Sequence, residues 1–262
     1  MPQPRTRRRR PEVLEGLAVA RTLRQELELA DDQPVTCVVD VAERRLDLDV
    51  VLVSLRAEVS GLYYPLRPNA VVVVSADHPV ARQRFTLAHE IGHHALGHGA
   101  SPRIQETTAV DAAAREVATD AAVDSSRDHY TPQFSTDPDE RAANAFAGEF
   151  LVPEAGAAQL IDAWVEEDPL DQVLRLSAHY GVSAFSALVK FQMLGLWAKP
   201  EVDDVRARLQ ALEHVPRYGD LGLTPLVDEL ERHHAAGGGT RCSSRARASL
   251  ARLRAEADAA GL

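Results

Sequence analysis

Four of the ten histidines in this chain fall close together: His89, His93, His94 and His98. The string His89-Glu90-Ile91-Gly92-His93 spaces two of them four apart around a glutamate. On a helix each residue advances about 100°, so His89 and His93 lie only about 40° apart, on one face and one turn from each other. Two imidazoles so placed can grip one tetrahedral zinc ion. Glu90 sits about 100° round from His89, off the ligand line. From there it can reach a water held by the metal and take its proton. One extended pattern places a third histidine six residues after the second, but that position is Gly99 and the pattern's glycine position is Leu96. His98 is one residue early, and His94 points away, so both read as surface or supporting histidines.

A second pattern draws its third ligand from a later helix. Glu140 opens Glu140-Arg141-Ala142-Ala143-Asn144, and the spacing of four puts Asn144 on the same face. Glu140 can then ligate while Asn144 orients a ligating histidine. Asp137-Pro138-Asp139-Glu140 reads equally as a capping box, with Glu140 turned back to its own helix start. The residues alone leave both readings open.

The elements that must hold these residues follow from pattern. Leu14, Leu17, Leu23 and Leu27 predict a helix over 13–29, broken by Asp31, Asp32 and Pro34. Two β-like runs follow, 35–41 and 46–55, then a turn-rich piece over 60–69 with Gly61, Pro65 and Pro68. Residues 71–75 read as a buried strand. Asp77 and Pro79 signal an N-cap and first-turn proline for a helix over 80–98, ending at Gly99. On its wheel Phe85, Ala88, Ile91, Ala95 and Leu96 share one arc, with both histidine ligands at its edge, so metal would sit where core meets cleft. Residues 100–137 form a long polar connection with a short alanine-rich helix at 111–122. A helix over 138–151 stops near Pro153. Helices over 156–180 and 183–196 hinge at Gly181, with Ser183 as N-cap, and 200–262 reads as helical pieces. Strands early and helices late make an α+β chain.

Composition narrows the function classes. With 262 residues, 45% hydrophobic and 26% charged, the chain is globular and has one or two domains, not a disulfide scaffold or a disordered polymer. No apolar run reaches membrane-span length. The net charge is −10 although Arg5 and Arg7 to Arg10 crowd the N-terminus, so the body is acidic and repels nucleic acid. The basic tail runs into Pro11, Glu12 and Glu15 with no apolar stretch, unlike a signal peptide. Cys37, read as a core thiol in a strand, and Cys242 are far apart and frame no disulfide pattern, so a reducing cytoplasm is the expected compartment.

Arg84-Phe85-Thr86-Leu87-Ala88-His89-Glu90-Ile91-Gly92-His93 and Glu140-Arg141-Ala142-Ala143-Asn144-Ala145-Phe146-Ala147, closing on Leu151-Val152-Pro153, closely resemble the ImmA/IrrE family of bacterial and phage metallopeptidases. Leu96-Gly97-His98, Tyr180-Gly181-Val182-Ser183 and Leu194-Gly195-Leu196 fit the same family, so the resemblance spans residues 13–197. It implies a small gluzincin-like fold with a single zinc, Glu140 as third ligand and Glu90 as general base. It also implies a protein substrate, a helix-turn-helix repressor cut to release stress-response or mobile-element genes. On this resemblance the chain divides into a basic tail (1–11), a zincin-like catalytic domain (12–155) with a polar insertion at 100–137, a helix-turn-helix-like segment (156–199) and a helical extension (200–262). The connection from His93 to Glu140 is longer than is usual for the family, and the stretch after 200 matches nothing in it.

Three functions compete. In the first, a zinc endopeptidase, Tyr63, Tyr64, His129 and Tyr130 are candidates for a further donor to the oxyanion. In the second, 167–197 reads DNA; its reading helix offers only Lys190 and Gln192, where readers place several Arg, Lys, Asn or Gln, so DNA binding is not expected. In the third, the zinc remains but the protein regulates a repressor or toxin partner by binding alone. Trp164 and Trp197 read as packing residues, and His233 and His234 as companions of a helix end.

Overall fold

Residues 71–75 carry four valines in a row and are buried at every position, as expected of a strand covered on both faces and paired on both edges. The computed structural model describes residues 9–53, 55, 59–65, 69–98, 103–106 and 137–212. In it four strands, β1 (Asp49–Val53), β2 (Val59–Tyr64), β3 (Val71–Ser75) and β4 (Arg103–Glu106), form one sheet in the order β1-β3-β2-β4. β1 runs parallel to β3, with Asp49 opposite Val71. β2 runs antiparallel to both β3 and β4, with Tyr63 opposite Val72 and Arg103. Alternation sorts the side chains by face. Val50, Val72, Val74 and Tyr63 join the main core, while Val51, Val71 and Val73 gather with Leu62 and Tyr64 on the other face.

Eight helices accompany the sheet among the described residues. They are α1 (Pro11–Glu26), α2 (Val38–Asp40, continued by a wider turn over Val41–Arg45), α3 (Val80–Ala95), α4 (Pro138–Leu151), α5 (Glu154–Ala163), α6 (Pro169–Tyr180), α7 (Ala184–Leu194) and α8 (Lys199–Ala211). α4 packs between α1 and α3, and glycines make both approaches possible. A Cβ on Gly16 of α1 would stand 2.1 Å from the Ala142 carbonyl oxygen, and one on Gly92 of α3 would stand 2.9 Å from the Phe146 ring. The small residues Ala142, Ala143, Ala145 and Ala147 of α4 complete these close crossings, all of them buried. Arg141 adds an ion pair to Glu12 of α1 at 2.6 Å.

The α+β reading holds, with five local corrections. Residues 35–41 are not a strand: Cys37 caps α2, its Sγ accepting from Asp40 N at 3.3 Å, and Val38 and Val39 are buried as helix residues. The turn-rich piece contains β2, whose Gly61 lets Thr86 of α3 lie against the sheet. The N-cap of α3 is Pro79, not Asp77, and the helix closes at Leu96 with Gly97 at φ 72°, so Gly99 is not its stop. Gln83 ties the first turn of α3 back to the carbonyls of Ala76 and His78. The polar connection contains β4, and the helix expected at 111–122 lies outside the described residues. The helix over 156–180 is two helices, since Asp168 and Pro169 restart the chain, with Asp168 accepting from Leu170 N at 2.9 Å.

The C-terminal helices are fastened to the rest. Gly181 ends α6 in the left-handed region at φ 66°, and Ser183 caps α7 through Ser186 N, as the sequence predicts. Arg84 of α3, almost fully buried, donates to Gly181 O and Val35 O at 3.2 and 2.6 Å. Lys190 of α7 is 3% exposed, donates to Gly148 O at 3.3 Å and lies 3.6 Å from Glu149. Glu149 also accepts from Arg21 and from Glu154 N, so one buried carboxylate joins α1, α4, α5 and α7. Trp197 stacks on Phe191 with centroids 4.1 Å apart, and Arg175 lies over Trp164. No helix among the described residues is long and apolar enough to cross a membrane.

Candidate metal centre

α3 lies against the sheet on one side and α4 on the other, so nearly all of its middle is buried. His89 and His93 face α4, where Glu140 meets them from the first turn of that helix. Asp137 supplies the cap of α4 by accepting from Asp139 N at 2.9 Å. Glu140 reaches His89 and His93 instead of its own helix start. Its Oε2 is 3.2 Å from His89 Nε2 and its Oε1 is 3.1 Å from His93 Nε2. The two Nε2 atoms are 3.0 Å apart. The structure therefore brings together the two histidines that spacing nominated and the glutamate that the resemblance implied, and they form a group able to hold a metal ion.

The outer ring nitrogens show which atoms are offered inward. His89 Nδ1 is 2.9 Å from Asn144 Oδ1. An amide oxygen only accepts, so His89 carries its proton on Nδ1 there. His93 Nδ1 is 3.0 Å from His98 Nδ1, so one of these two nitrogens donates. Two Nε2 atoms and a carboxylate thus converge on one point. A tetrahedral site with bonds of about 2.0–2.1 Å has ligand-to-ligand edges of about 3.3 Å. The separations here are 3.0 Å between the two Nε2 atoms, and 3.1 and 3.2 Å from them to the two different oxygens of Glu140, short enough for one small cation to be shared by all three residues. Nitrogen and carboxylate donors in this number suit zinc among the common metals.

Electrostatics agrees with a cation-seeking cage. Burial raises the Glu140 carboxyl, but its bonds with His89 and His93 outweigh this and hold it well below the usual carboxylate range. Burial also pushes His93 down, and with the neighbouring His89 and His98 it brings the ring to about 4 despite Glu140. His89 moves the other way: burial lowers it, but the Glu140 bond, the Glu90 charge and the Asn144 bond together raise it. His89 and His93 are sealed, whereas the Glu140 side chain is 24% exposed, so the cage opens on the α4 side.

Glu90, next to His89 on α3, is buried on the side that meets β2, and its charge reaches His89. A Cβ on Gly61 would stand 2.4 Å from Thr86 Cγ2 and 3.0 Å from Glu90 Oε1, so the glycine lets both side chains lie against β2. Sequence reasoning missed Gly61, although a lone glycine in a strand is a signal of close approach. One turn beyond Glu90, His94 is half-buried rather than on the surface, and its Nδ1 is 3.0 Å from Tyr63 Oη. Of the four candidate oxyanion donors, Tyr63 is thereby engaged, Tyr64 belongs to the far face of the sheet, and His129 and Tyr130 lie outside the described residues. Ala95, placed on the core arc by its position on the wheel, is exposed.

Curated proteins gave no match. The family profile for the IrrE N-terminal-like domain, a peptidase family, matches residues 43–122 and 120–192. These segments contain all four strands, α3, α4 and the three ligand candidates, and together they cover more than half of the sequence. His89, His93 and Glu140 form a group that could hold a metal ion, and the chain that carries it belongs to the IrrE N-terminal-like peptidase family.

Proposed function

We propose that this protein is a zinc endopeptidase that hydrolyses a peptide bond in a protein substrate. One observation carries the reading: His89, His93 and Glu140 each offer one ligand atom, all within 4.8 Å of one another, with a buried glutamate, Glu90, beside them on α3, in a chain of a peptidase family. When bound there, zinc supplies a Lewis acid that polarises the scissile carbonyl and makes water a nucleophile near neutral pH. His89, His93 and Glu140 hold the ion, and Asn144 keeps His89 in the tautomer that ligates. Glu90 takes the proton of the attacking water and returns it to the leaving amine. The family resemblance supports a helix-turn-helix repressor as substrate, in a circuit controlling stress-response or mobile-element genes, with the reducing cytoplasm as its compartment.

Lys190 weighs against a DNA-reading role for α6 and α7. It was one of two side chains available for base contacts, and it is buried against Gly148 and Glu149. The deciding experiment is Glu90→Gln with a candidate repressor supplied as substrate. Metal content should stay at that of the wild type while cleavage is lost. Retained cleavage would remove Glu90 from the mechanism. A stable repressor complex with no fragments from the wild type would instead favour regulation by binding alone.

A further inference from the structure

His89 and His93 reach the cage by different means. His89 is oriented by an amide oxygen that can only accept, whereas His93 faces another histidine, 3.0 Å away between Nδ1 atoms. A contact between two imidazoles is ambiguous. If His98 carried its proton on Nδ1, it would donate, and His93 would be pushed into the tautomer with the proton on Nε2, inside the cage. If His98 carries its proton on Nε2, its Nδ1 accepts from His93, and His93 Nε2 is left bare for a metal. Something beyond His98 has to choose.

Asp139 is placed to make that choice. It precedes Glu140 in the first turn of α4, and its Oδ1 stands 3.6 Å from His98 Nε2. This is longer than a direct hydrogen bond but close enough for a carboxylate to favour an N–H over a lone pair pointing at it. Its side chain is 40% exposed while that of His98 is 12%, so the charge sits at the rim and acts inward through the ring. The N-terminal half of α4 thus addresses three histidines: Asp139 faces His98, Glu140 faces His89 and His93, and Asn144 faces His89.

We infer that His98 and Asp139 are positioning residues that fix the ring tautomer of His93 for metal binding, an inference that rests on the metal-centre reading above. The test uses the full chain and zinc alone, by competition against a chelating indicator, with ring-nitrogen NMR of the zinc-loaded protein. Leucine and asparagine share a shape, but only asparagine offers an acceptor near the Nδ1 position. His98→Leu is expected to weaken zinc binding about tenfold or more, and His98→Asn to stay within about threefold of wild type. Asp139→Asn is expected to fall between them and to move the His98 proton from Nε2 toward Nδ1. Equal losses in His98→Leu and His98→Asn, or a His98 proton on Nδ1 in the wild type, would overturn the relay. Wild-type protein that binds no zinc would overturn the metal centre itself, a result distinct from zinc binding that all three variants leave intact, which sinks the relay alone.

Discussion

Gly92→Ala isolates the helix crossing that sets the cage. Gly92 lies between the two histidine ligands and against α4. A Cβ there would meet Phe146 Cδ1 at 2.9 Å and both the Cα and the carbonyl oxygen of Ala143 at 3.2 Å, where ordinary contact begins at 3.4 Å. The ring can turn aside, but the backbone of Ala143 cannot, so α3 and α4 must part by about 0.2 Å at least and about 0.5 Å if the ring stays. Ligand distances in a metal site are held within about 0.2 Å, and here two ligands ride on α3 and one on α4. Zinc affinity should therefore fall about tenfold or more, which is about 1.4 kcal/mol. Folding stability should fall by about 0–2 kcal/mol, because overpacking costs about 1–3 kcal/mol while removing a mid-helix glycine returns about 1 kcal/mol. The assay pairs a zinc competition titration with urea unfolding of the metal-free protein. Unchanged affinity in a variant of reduced stability would show that the strain is absorbed elsewhere and that the crossing does not set the position of Glu140.

Other perturbations probe the frame around the site. Lys190→Met should lower stability by about 1–3 kcal/mol in urea unfolding, at the modest end for a broken buried pair because Glu149 keeps Arg21 and Glu154 N. Burial, only partly offset by Glu149 and Glu154, holds the Lys190 ammonium below the ordinary lysine value. The unfolded chain then binds more protons, so this residue makes stability rise as pH climbs toward the ordinary lysine range, and Lys190→Met should flatten that rise relative to wild type. Arg84→Met leaves two carbonyls, Gly181 O and Val35 O, without their donor, and should cost about 2–4 kcal/mol by the same measurement.

The chemistry was more legible in the sequence than the strands. Spacing alone put His89 and His93 on one face, and Pro138 and Pro153 bracketed α4, because local rules govern helix periodicity and helix ends. Glu140 was ambiguous from its residues, since a capping box and a metal ligand share the same letters; only the packing of α4 on α3 separates them. Residues 35–41 misled because β-branched side chains report burial more than backbone state, and here the burial is that of a helix. β2 was hidden because its glycine looks like turn punctuation, although it serves the close approach of Thr86 and Glu90. The break at Asp168 and Pro169 has its own local signal, an N-cap followed by a first-turn proline, which a single helix over 156–180 does not accommodate.

The placement of α4 between α1 and α3 has a consequence for how the protein is made. Glu12 and its partner Arg141 are 129 residues apart, so the helix that completes the site is synthesised long after the groove that receives it. Until α4 docks, the nascent chain has the two histidines of the group but not Glu140 in place beside them, and contacts so distant in sequence close late in folding. Half-made chains on the ribosome therefore carry the two-histidine helix without its glutamate partner, and the complete group of three arises only once the body of the molecule has closed.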